Sequence, residues 1–224
     1  GVQNVIAAAM FNNVEKVIFT SSDKAVNPTN VMGTSKLMGE RLMTAANSNK
    51  RGAGPIFSST RFGNVLGSNG SVVPIFHNQI AEGGPVTLTD KDMTRFVMSI
   101  HESVRLVLDS AEEAKGGEVF VLNMPGTTVD IIARTMIKMF GNKETTIEII
   151  GSRQGEKKDE LLISKNEIPF TEETDEFYFT IYPPLLDHKA KPNMSIKEFT
   201  SRNTKQLTVK ELESILKKEE WLID

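Results

Sequence analysis

Cysteine is absent from this chain of 224 residues. Its absence excludes a disulfide framework, a zinc site built on thiolates, an iron–sulfur cluster and a cysteine nucleophile. The three histidines, His77, His101 and His188, lack the spacing of metal ligands, so we predict no metal site. A chain without cysteine is compatible with a reducing compartment, and we expect a cytoplasmic location.

An excess of one charge and long apolar runs are also lacking. The 26 basic and 29 acidic side chains give a net charge of −3, which provides no general attraction for nucleic acid or anionic lipid. No apolar run approaches the ~18 residues that a membrane span needs, and the N-terminus lacks a signal-peptide pattern. We therefore expect a globular protein that binds no nucleic acid and has no membrane segment in this chain.

Helical and extended patterns alternate in the N-terminal part of the chain. Helical spacing of apolar residues predicts helices, and short apolar runs predict strands. The predicted order is helix 2–13, strand 14–20, helix 31–47 and strand 55–62. One face of the second helix carries Leu37, Met38, Leu42 and Ala45. This alternation predicts crossover units on a parallel sheet, in an α/β fold.

The rest of the chain is less regular. A helix is predicted at 72–81, another after a capping box of Ser99 and Glu102, a third at 127–140, and a last one after a capping box of Thr208 and Glu211. Strands are predicted at 85–88, 119–122 and 147–150, and loops at 63–70 and 152–158. The periodicity weakens over residues 165–193.

Polar side chains follow the first two predicted strands. In an open parallel sheet, ligands bind outside the carboxyl ends of the strands. Ser22, Asp23 and Lys24 follow the first strand, and Arg61 to Asn64 follow the second. Each set could equally be an ordinary solvated loop. The glycines at 63, 67 and 70 match neither the dinucleotide fingerprint nor a P-loop.

Five segments together resemble a known family, and the resemblance extends over nearly the whole chain. They are residues 22–36 (SDKAVNPTNVMGTSK), 61–67 (RFGNVLG), 92–96 (DMTRF), 151–157 (GSRQGEK) and 198–207 (EFTSRNTKQL). These segments resemble the UDP-N-acetylglucosamine 4,6-dehydratases of the polysaccharide-biosynthesis branch of the extended short-chain dehydrogenases. The resemblance implies an α/β fold: the C-terminal half of a Rossmann-type doubly wound parallel sheet, with a smaller α/β substrate domain.

The same resemblance implies a domain organisation. Residues 1–75, with a return at about 99–123, would be the second half of the NAD-binding domain. Residues 76–98 and 124–190 would form the UDP-sugar domain, and 191–224 a C-terminal helical extension. The glycine-rich loop that binds NAD or NADP is expected upstream of Gly1. We therefore expect a fragment that alone does not hold the cofactor well, from a protein that forms a homo-oligomer.

Catalytic roles also follow from the resemblance. Lys24 would remove the proton from sugar C5, and Asp23 would protonate the departing C6 hydroxyl. Ser22 would contact O4 and lie beside the cofactor, while Lys36 would bind the nicotinamide ribose. Met32 stands where most short-chain dehydrogenases carry a catalytic tyrosine. A thioether cannot accept the C4 hydroxyl proton, so this substitution shifts that task to Ser22 and Asp23.

Substrate-binding roles are implied for the second half of the chain. Asn64 would hold the diphosphate or the sugar. Arg95 and Arg153 offer paired N–H donors for the phosphates. Glu156 would accept a hydrogen bond from a ribose hydroxyl, and Leu88 would line the uracil.

Two other functions remain open at the level of the sequence. One is a UDP-sugar 4-epimerase of the same fold, which needs only removal and return of a hydride at C4. The other is a non-catalytic fragment that binds UDP-sugars or mediates oligomerisation. Adjacent Asp23 and Lys24 favour the dehydratase, because epimerisation at C4 has no use for a C5 base and a C6 acid.

Overall fold

A computed structural model describes residues 1–50, 54–174, 178–184 and 198–219. The helices are α1 (Val2–Phe11), α2 (Val31–Asn49), α3 (Val72–Ala81), α4 (Ile100–Glu113), α5 (Val129–Phe140) and α6 (Val209–Lys218). The first six strands are β1 (Lys16–Ser22), β2 (Ile56–Phe62), β3 (Asn64–Val65), β4 (Val86–Leu88), β5 (Thr94–Met98) and β6 (Val119–Leu122). The others are β7 (Gly126–Thr128), β8 (Ile147–Ile149), β9 (Leu161–Ile163), β10 (Thr171–Glu173), β11 (Tyr178–Ile181) and β12 (Phe199–Thr200).

The chain divides into two compact units. The first comprises Gly1–Phe62, Ser103–Asn123 and Leu161–Phe199, and the second comprises Gly63–Glu102, Met124–Glu160 and Thr200–Asp224. In this division residues 63–75 fall in the second unit and residues 161–174 and 178–184 in the first, whereas the sequence grouping placed 63–75 with the cofactor-binding half and 161–190 with the sugar domain. Residues 185–197 and 220–224 lie outside the described part. Which unit binds cofactor and which binds sugar stays a prediction.

A five-stranded sheet forms the centre of the first unit, in the order β1-β2-β6-β11-β10. The first three strands are parallel, whereas β11 pairs antiparallel with β6, and β10 antiparallel with β11. The predicted α/β fold with a parallel sheet is thereby confirmed. Sequence patterns missed β10 and β11 because such short strands hold too few residues for a clear period. Because β11 pairs with β6 and β10 pairs with β11, residues 171–173 and 178–181 belong to this unit.

Helix α2 buries a different face from its most apolar one. Met38 is 58% exposed. The buried residues of the helix are Gly33, Gly39, Glu40, Met43 and Asn47. A Cβ added at Gly39 would lie 2.4 Å from the ring of Phe19 on β1, so the glycine lets the helix approach the strand closely. Met43 packs with Ala9 and Phe57 in the core of this unit.

Helices α3, α5 and α6 enclose the hydrophobic core of the second unit. Parallel strands β4 and β8 pair in this unit, and β5 lies between β3 and β7. The predicted capping box at the start of α6 is confirmed, with Thr208 and Glu211 bonded reciprocally. Leu212 and Leu216 of α6 are fully buried, so this helix packs into the core of the second unit.

Candidate functional site

Strand β1 delivers three of the predicted catalytic residues to a tight turn. It ends at Ser22, and a 3-10 helix follows at Asp23–Ala25. The Ser22 Oγ accepts a hydrogen bond of 3.2 Å from the backbone N–H of Lys24, which caps this turn. Lys24 Nζ lies 3.0 Å from Asp23 Oδ1. The structure therefore brings these three side chains together at the carboxyl end of the strand, as predicted.

The carboxylate of Asp23 is enclosed, and one of its oxygens has no partner. Asp23 is 0% exposed, and its Oδ2 receives no hydrogen bond from the residues that the structure describes. The Lys24 side chain is 34% exposed. Buried carboxylate oxygens are normally hydrogen-bonded, and an exception indicates a ligand, a water or a catalytic role. In this pair the carboxylate is therefore buried, while the Lys24 side chain reaches outward.

Gly33 on α2 supports the same turn, and the sequence analysis missed it. An added Cβ at Gly33 would lie 2.3 Å from the backbone oxygen of Lys24. The helix begins at an N-cap formed by Asn30, whose Oδ1 accepts a 2.9 Å hydrogen bond from the Gly33 N–H. Only a residue without a side chain permits this approach. The sequence signal was a glycine in the first turn of a helix, where it is otherwise unfavourable.

Two further predicted residues lie on α2. Lys36 Nζ donates a 3.0 Å hydrogen bond to the Thr20 carbonyl and lies 5.5 Å from the centroid of the Phe19 ring. An ammonium has three N–H donors, and this bond uses one, so the group fits a hydroxyl-bearing ligand such as a ribose. Met32 is 49% exposed in the first turn. Neither shares a hydrogen bond with Asp23 or Lys24 among the described contacts.

Arg61 does not face a ligand, although it follows the pattern of a polar residue at a strand end. Its side chain is 1% exposed and uses all five N–H donors. Two reach Glu40 at 2.8 and 2.9 Å, two reach Glu167 at 2.7 and 3.1 Å, and one reaches the Leu162 carbonyl at 2.7 Å. Burial favours the neutral form of Arg61, but these carboxylates outweigh it and keep the pKa raised. Arg61 is a structural centre of the first unit.

Asn64 is the predicted substrate residue with an open hydrogen-bonding position. It lies on β3, half-buried, in the second unit. Its Oδ1 is buried without a hydrogen-bond partner among the described residues. An amide oxygen in this state is suited to a ligand that donates a hydrogen bond.

The predicted phosphate-binding arginines differ in their surroundings. Arg95 donates to the carbonyls of Thr94 at 2.6 Å and Lys157 at 3.2 Å, and its Nε lies 4.0 Å from Glu160. The side chain is only 13% exposed, so the main role of Arg95 is to stabilise the segment 157–160 that follows Arg153. Arg153 is exposed on a loop with Glu156, whose Oε2 accepts its backbone N–H at 3.0 Å.

Leu88 does not offer the surface that uracil binding needs. Its side chain is 1% exposed and packs in the hydrophobic core of the second unit. The apolar run that suggested a uracil contact is explained by this burial. Among the described residues, no group of three or more His, Asp or Glu side chains could hold a metal ion. In the same part of the chain, no helix has the length and apolarity to cross a bilayer.

Curated relatives cover nearly all of the chain. An uncharacterized membrane protein of Methanocaldococcus jannaschii is 46% identical over 228 residues, which is 99% of this chain and 67% of that protein. A UDP-glucose 4-epimerase of Rickettsia typhi is 38% identical over 223 residues, 96% of this chain and 65% of the relative. The chain thus spans about two thirds of the length of these relatives.

Solved structures share the fold. Pen from Bacillus thuringiensis matches with a TM-score of 0.89 at 38% identity, over 98% of this chain and 67% of that one. A Thermus thermophilus UDP-glucose 4-epimerase, solved with NAD, has a TM-score of 0.60 at 19% identity, over 69% of this chain and 57% of that one. The latter likeness concerns the fold alone.

The family assignment rests on the sequence match together with these relatives. Residues 1–182 match the family described as polysaccharide biosynthesis protein. The match confirms the predicted branch of the extended short-chain dehydrogenases, while the relatives' names include epimerases. The chain belongs to the polysaccharide biosynthesis protein family, and it has the Rossmann-like α/β fold of its structural neighbours.

Proposed function

We propose that the complete gene product dehydrates UDP-N-acetylglucosamine at C4–C6 with NAD, giving a UDP-4-keto-6-deoxy sugar for surface polysaccharide. The observation that supports this most strongly is the pairing of Lys24 Nζ with Asp23 Oδ1 at 3.0 Å, while Asp23 Oδ2 lacks a partner. Removing a proton from C5 and protonating a C6 hydroxyl requires one base and one acid. This pair supplies both in adjacent residues.

The proton balance of the elimination fits the pair. NAD⁺, when bound, supplies a reversible hydride acceptor for the sugar. Lys24 takes the C5 proton as the double bond to C6 forms, and Asp23 gives a proton to the C6 hydroxyl, which leaves as water. The step consumes no net proton. When the hydride returns to C6, Lys24 gives a proton, exchanged with solvent, back to C5. The proton lost by the C4 hydroxyl replaces the one that Asp23 gave up, so the whole reaction releases one water and no net proton.

The neighbouring residues take supporting roles in this proposal. Ser22 Oγ accepts from the backbone of Lys24, which leaves its own O–H to contact the sugar O4. Lys36 would bind the nicotinamide ribose with the N–H groups that the Thr20 carbonyl does not use. Met32 offers no proton acceptor at the usual tyrosine position, so the C4 hydroxyl proton passes to the Ser22 and Asp23 side of the site.

For the UDP-sugar, the second unit supplies the proposed contacts. The unpartnered Oδ1 of Asn64 accepts from the sugar or ribose. Arg153 is exposed and binds a phosphate, with Glu156 on a ribose hydroxyl. Arg95 acts on the same loop through the Lys157 carbonyl. Leu88 stays in the hydrophobic core of the second unit and makes no contact with the substrate in this proposal. A homo-oligomer and a cytoplasmic location stay predictions.

The test is turnover of UDP-N-acetylglucosamine by the complete gene product with NAD in D₂O. Loss of one water, with deuterium at C5, is the expected result by mass spectrometry and NMR. Lys24→Gln should lower kcat by about 10²–10⁴, the usual contribution of one general base. Lys143→Gln, at an exposed turn, is the control and should retain activity. Unchanged kcat in the Lys24 variant would refute its role.

A UDP-sugar 4-epimerase is the second candidate, and the name of the Rickettsia typhi relative favours it. This reaction needs no C5 base. Recovery of a C4-epimerised sugar without deuterium at C5, and equal activity in the Lys24 variant, would establish it in place of the dehydratase. Unchanged sugar with tight binding would indicate the non-catalytic alternative.

A further inference from the structure

The segment 198–207 has no role in the proposed reaction, and the segment 92–96 enters it only through Arg95. In the second unit they meet through Arg202. Its Nε and one NH2 group lie 2.8 Å from the two oxygens of Asp159, in a forked ion pair. The same NH2 group donates to the Asp92 carbonyl at 2.6 Å. Arg202 therefore connects the C-terminal segment 198–207 to the start of the segment 92–96 and to the end of the 151–160 loop.

A buried set of hydroxyls continues this connection. Thr94 Oγ1 donates to Asp159 Oδ1 at 2.7 Å and lies 2.6 Å from Ser201 Oγ. The Ser201 Oγ also accepts the Glu160 N–H at 2.9 Å, and its own N–H donates to the Glu160 carbonyl at 2.9 Å. Thr94 and Ser201 are 1% and 0% exposed. These contacts are sheltered from water, where hydrogen bonds are strongest.

Close backbone packing holds the C-terminal segment in place. A Cβ added at Gly126 would lie 2.1 Å from the Ser201 carbonyl oxygen. The Gly126 N–H donates to the Lys205 carbonyl at 2.9 Å, and the Leu207 N–H donates to the Gly126 carbonyl at 2.8 Å. This packing leaves Ser201 and Arg202 little freedom to move away from Asp159.

The loop that carries Arg153 is anchored at both ends and open in the middle. At its start, the Ile150 N–H donates to the Leu88 carbonyl at 2.7 Å, and at its end the Thr94 N–H donates to the Lys158 carbonyl at 2.9 Å. Between these anchors, Gly151 has φ of +85°, and Arg153 is exposed. The orientation of the exposed arginine thus depends on how firmly the ends are held.

We infer that Arg202 and Asp159 are positioning residues for this substrate-binding loop, so that the C-terminal segment sets the affinity for the UDP moiety. The inference rests on the proposed function, which places Arg153 and Glu156 on the UDP-sugar. Burial on its own raises the pKa of Asp159, but hydrogen bonds from Arg202 and Thr94 outweigh it and hold the pKa below its ordinary value. The ion pair is therefore intact at neutral pH.

The first test compares arginine variants in the complete gene product. Arg202→Met removes the forked pair with Asp159 and the bond to the Asp92 carbonyl, so the loop is held less firmly. The KM for UDP-N-acetylglucosamine and the Kd of UDP should rise about tenfold, which corresponds to ~1.4 kcal/mol of binding free energy. We expect kcat to change less than about twofold, because no reacting atom is touched. Arg202→Lys keeps the charge but loses the forked pair, so its KM and Kd should lie between those of the wild type and of Arg202→Met. Arg134→Met is the matched control, since Arg134 pairs with Asp130 at 2.6 Å on the exposed surface of α5.

The second test needs no substrate. Amide hydrogen exchange over residues 151–158 should accelerate in Arg202→Met and in Asp159→Asn but not in Arg134→Met, while exchange in α5 stays unchanged. Equal exchange in this loop, or a fall in kcat with KM unchanged, would overturn the inference. If the wild-type protein binds no UDP, the proposed function fails, and the affinity part of the inference is overturned with it.

Discussion

Replacing Arg61 by methionine tests the buried ion cluster of the first unit. The substitution preserves much of the side-chain length but removes five hydrogen bonds from a site that is 1% exposed. Glu40, with 3% of its side chain exposed, and Glu167, with 17%, then lose their cation. Breaking a buried pair by removing one partner costs about 3–5 kcal/mol, because the remaining charge lacks compensation.

That loss is large against the stability of a domain. For a chain of this size, each kcal/mol shifts the melting temperature by roughly 2–4 °C, so a decrease of roughly 10 °C is expected. The control is Arg134→Met, whose pair with Asp130 is exposed on one helix and should change the melting temperature little, because exposed ion pairs contribute little to stability. Adding Glu40→Gln and Glu167→Gln to the Arg61 variant should recover part of the loss, because both uncompensated charges are removed.

The deficit should also depend on pH. Burial on its own raises the pKa of Glu167, but Arg61 outweighs burial and lowers it below 4.5 in the folded protein. The wild-type protein therefore loses this contribution as the pH falls below 4.5. In Arg61→Met the lowering by Arg61 is lost and only the Ser164 hydrogen bonds still oppose burial, so the pKa of Glu167 rises relative to the wild type, and protonation relieves the variant as the pH falls. Both trends reduce the difference in free energy of unfolding between the wild type and Arg61→Met at acid pH.

Urea denaturation followed by circular dichroism at several pH values measures this difference. A free energy of unfolding within about 1 kcal/mol of the wild type at neutral pH would refute the reasoning, since that is the size of an exposed pair. A deficit that stays constant between neutral pH and pH 4.5 would refute the assigned role of Glu167.

Two further variants test the support of the turn and of α6. Gly33→Ala puts a Cβ 2.3 Å from the Lys24 oxygen, so kcat should fall and stability should drop by about 1–3 kcal/mol. Gly84→Ala is the control, because its added Cβ would lie 3.7 Å from the nearest atom, and it should leave kcat unchanged. Equal losses of kcat and of melting temperature in the Gly33 and Gly84 variants would contradict the role of Gly33. Hydrogen bonds from the Thr208 backbone and hydroxyl lower the pKa of Glu211 to about 2. Glu211→Gln should therefore lower the melting temperature at neutral pH, with a difference that shrinks as the pH falls from 4.5 to 2; a difference independent of pH would argue against this cap.

Local patterns in the sequence were sufficient for most of the elements. The bounds predicted for α3 and β6 match those of the structure, and the Thr208 capping box is present. Such signals depend on residues within a few positions of each other, which one sequence displays directly. Ser22, Asp23 and Lys24 were also found locally, because they follow one strand. The resemblance then predicted the family that the sequence match confirmed.

Contacts between distant residues could not be predicted in this way. Arg61 resembled a ligand-binding residue because its partner Glu167 lies 106 positions along the chain. Met38 belongs to the apolar pattern of α2, yet it is exposed, because glycines and Glu40 occupy the buried face. Periodicity records which residues share a face but not what that face meets.

By itself, the sequence determined the six helices, five of the described strands, the α/β class and the family, because these follow from local periodicity and short motifs. Only the tertiary structure decided that Arg61 is buried between two carboxylates, that Gly33 supports the Lys24 turn and that Arg202 reaches Asp159. Each depends on chain segments brought together by packing. The energy of a charge or a glycine is set by its surroundings, and those exist only once the chain has folded.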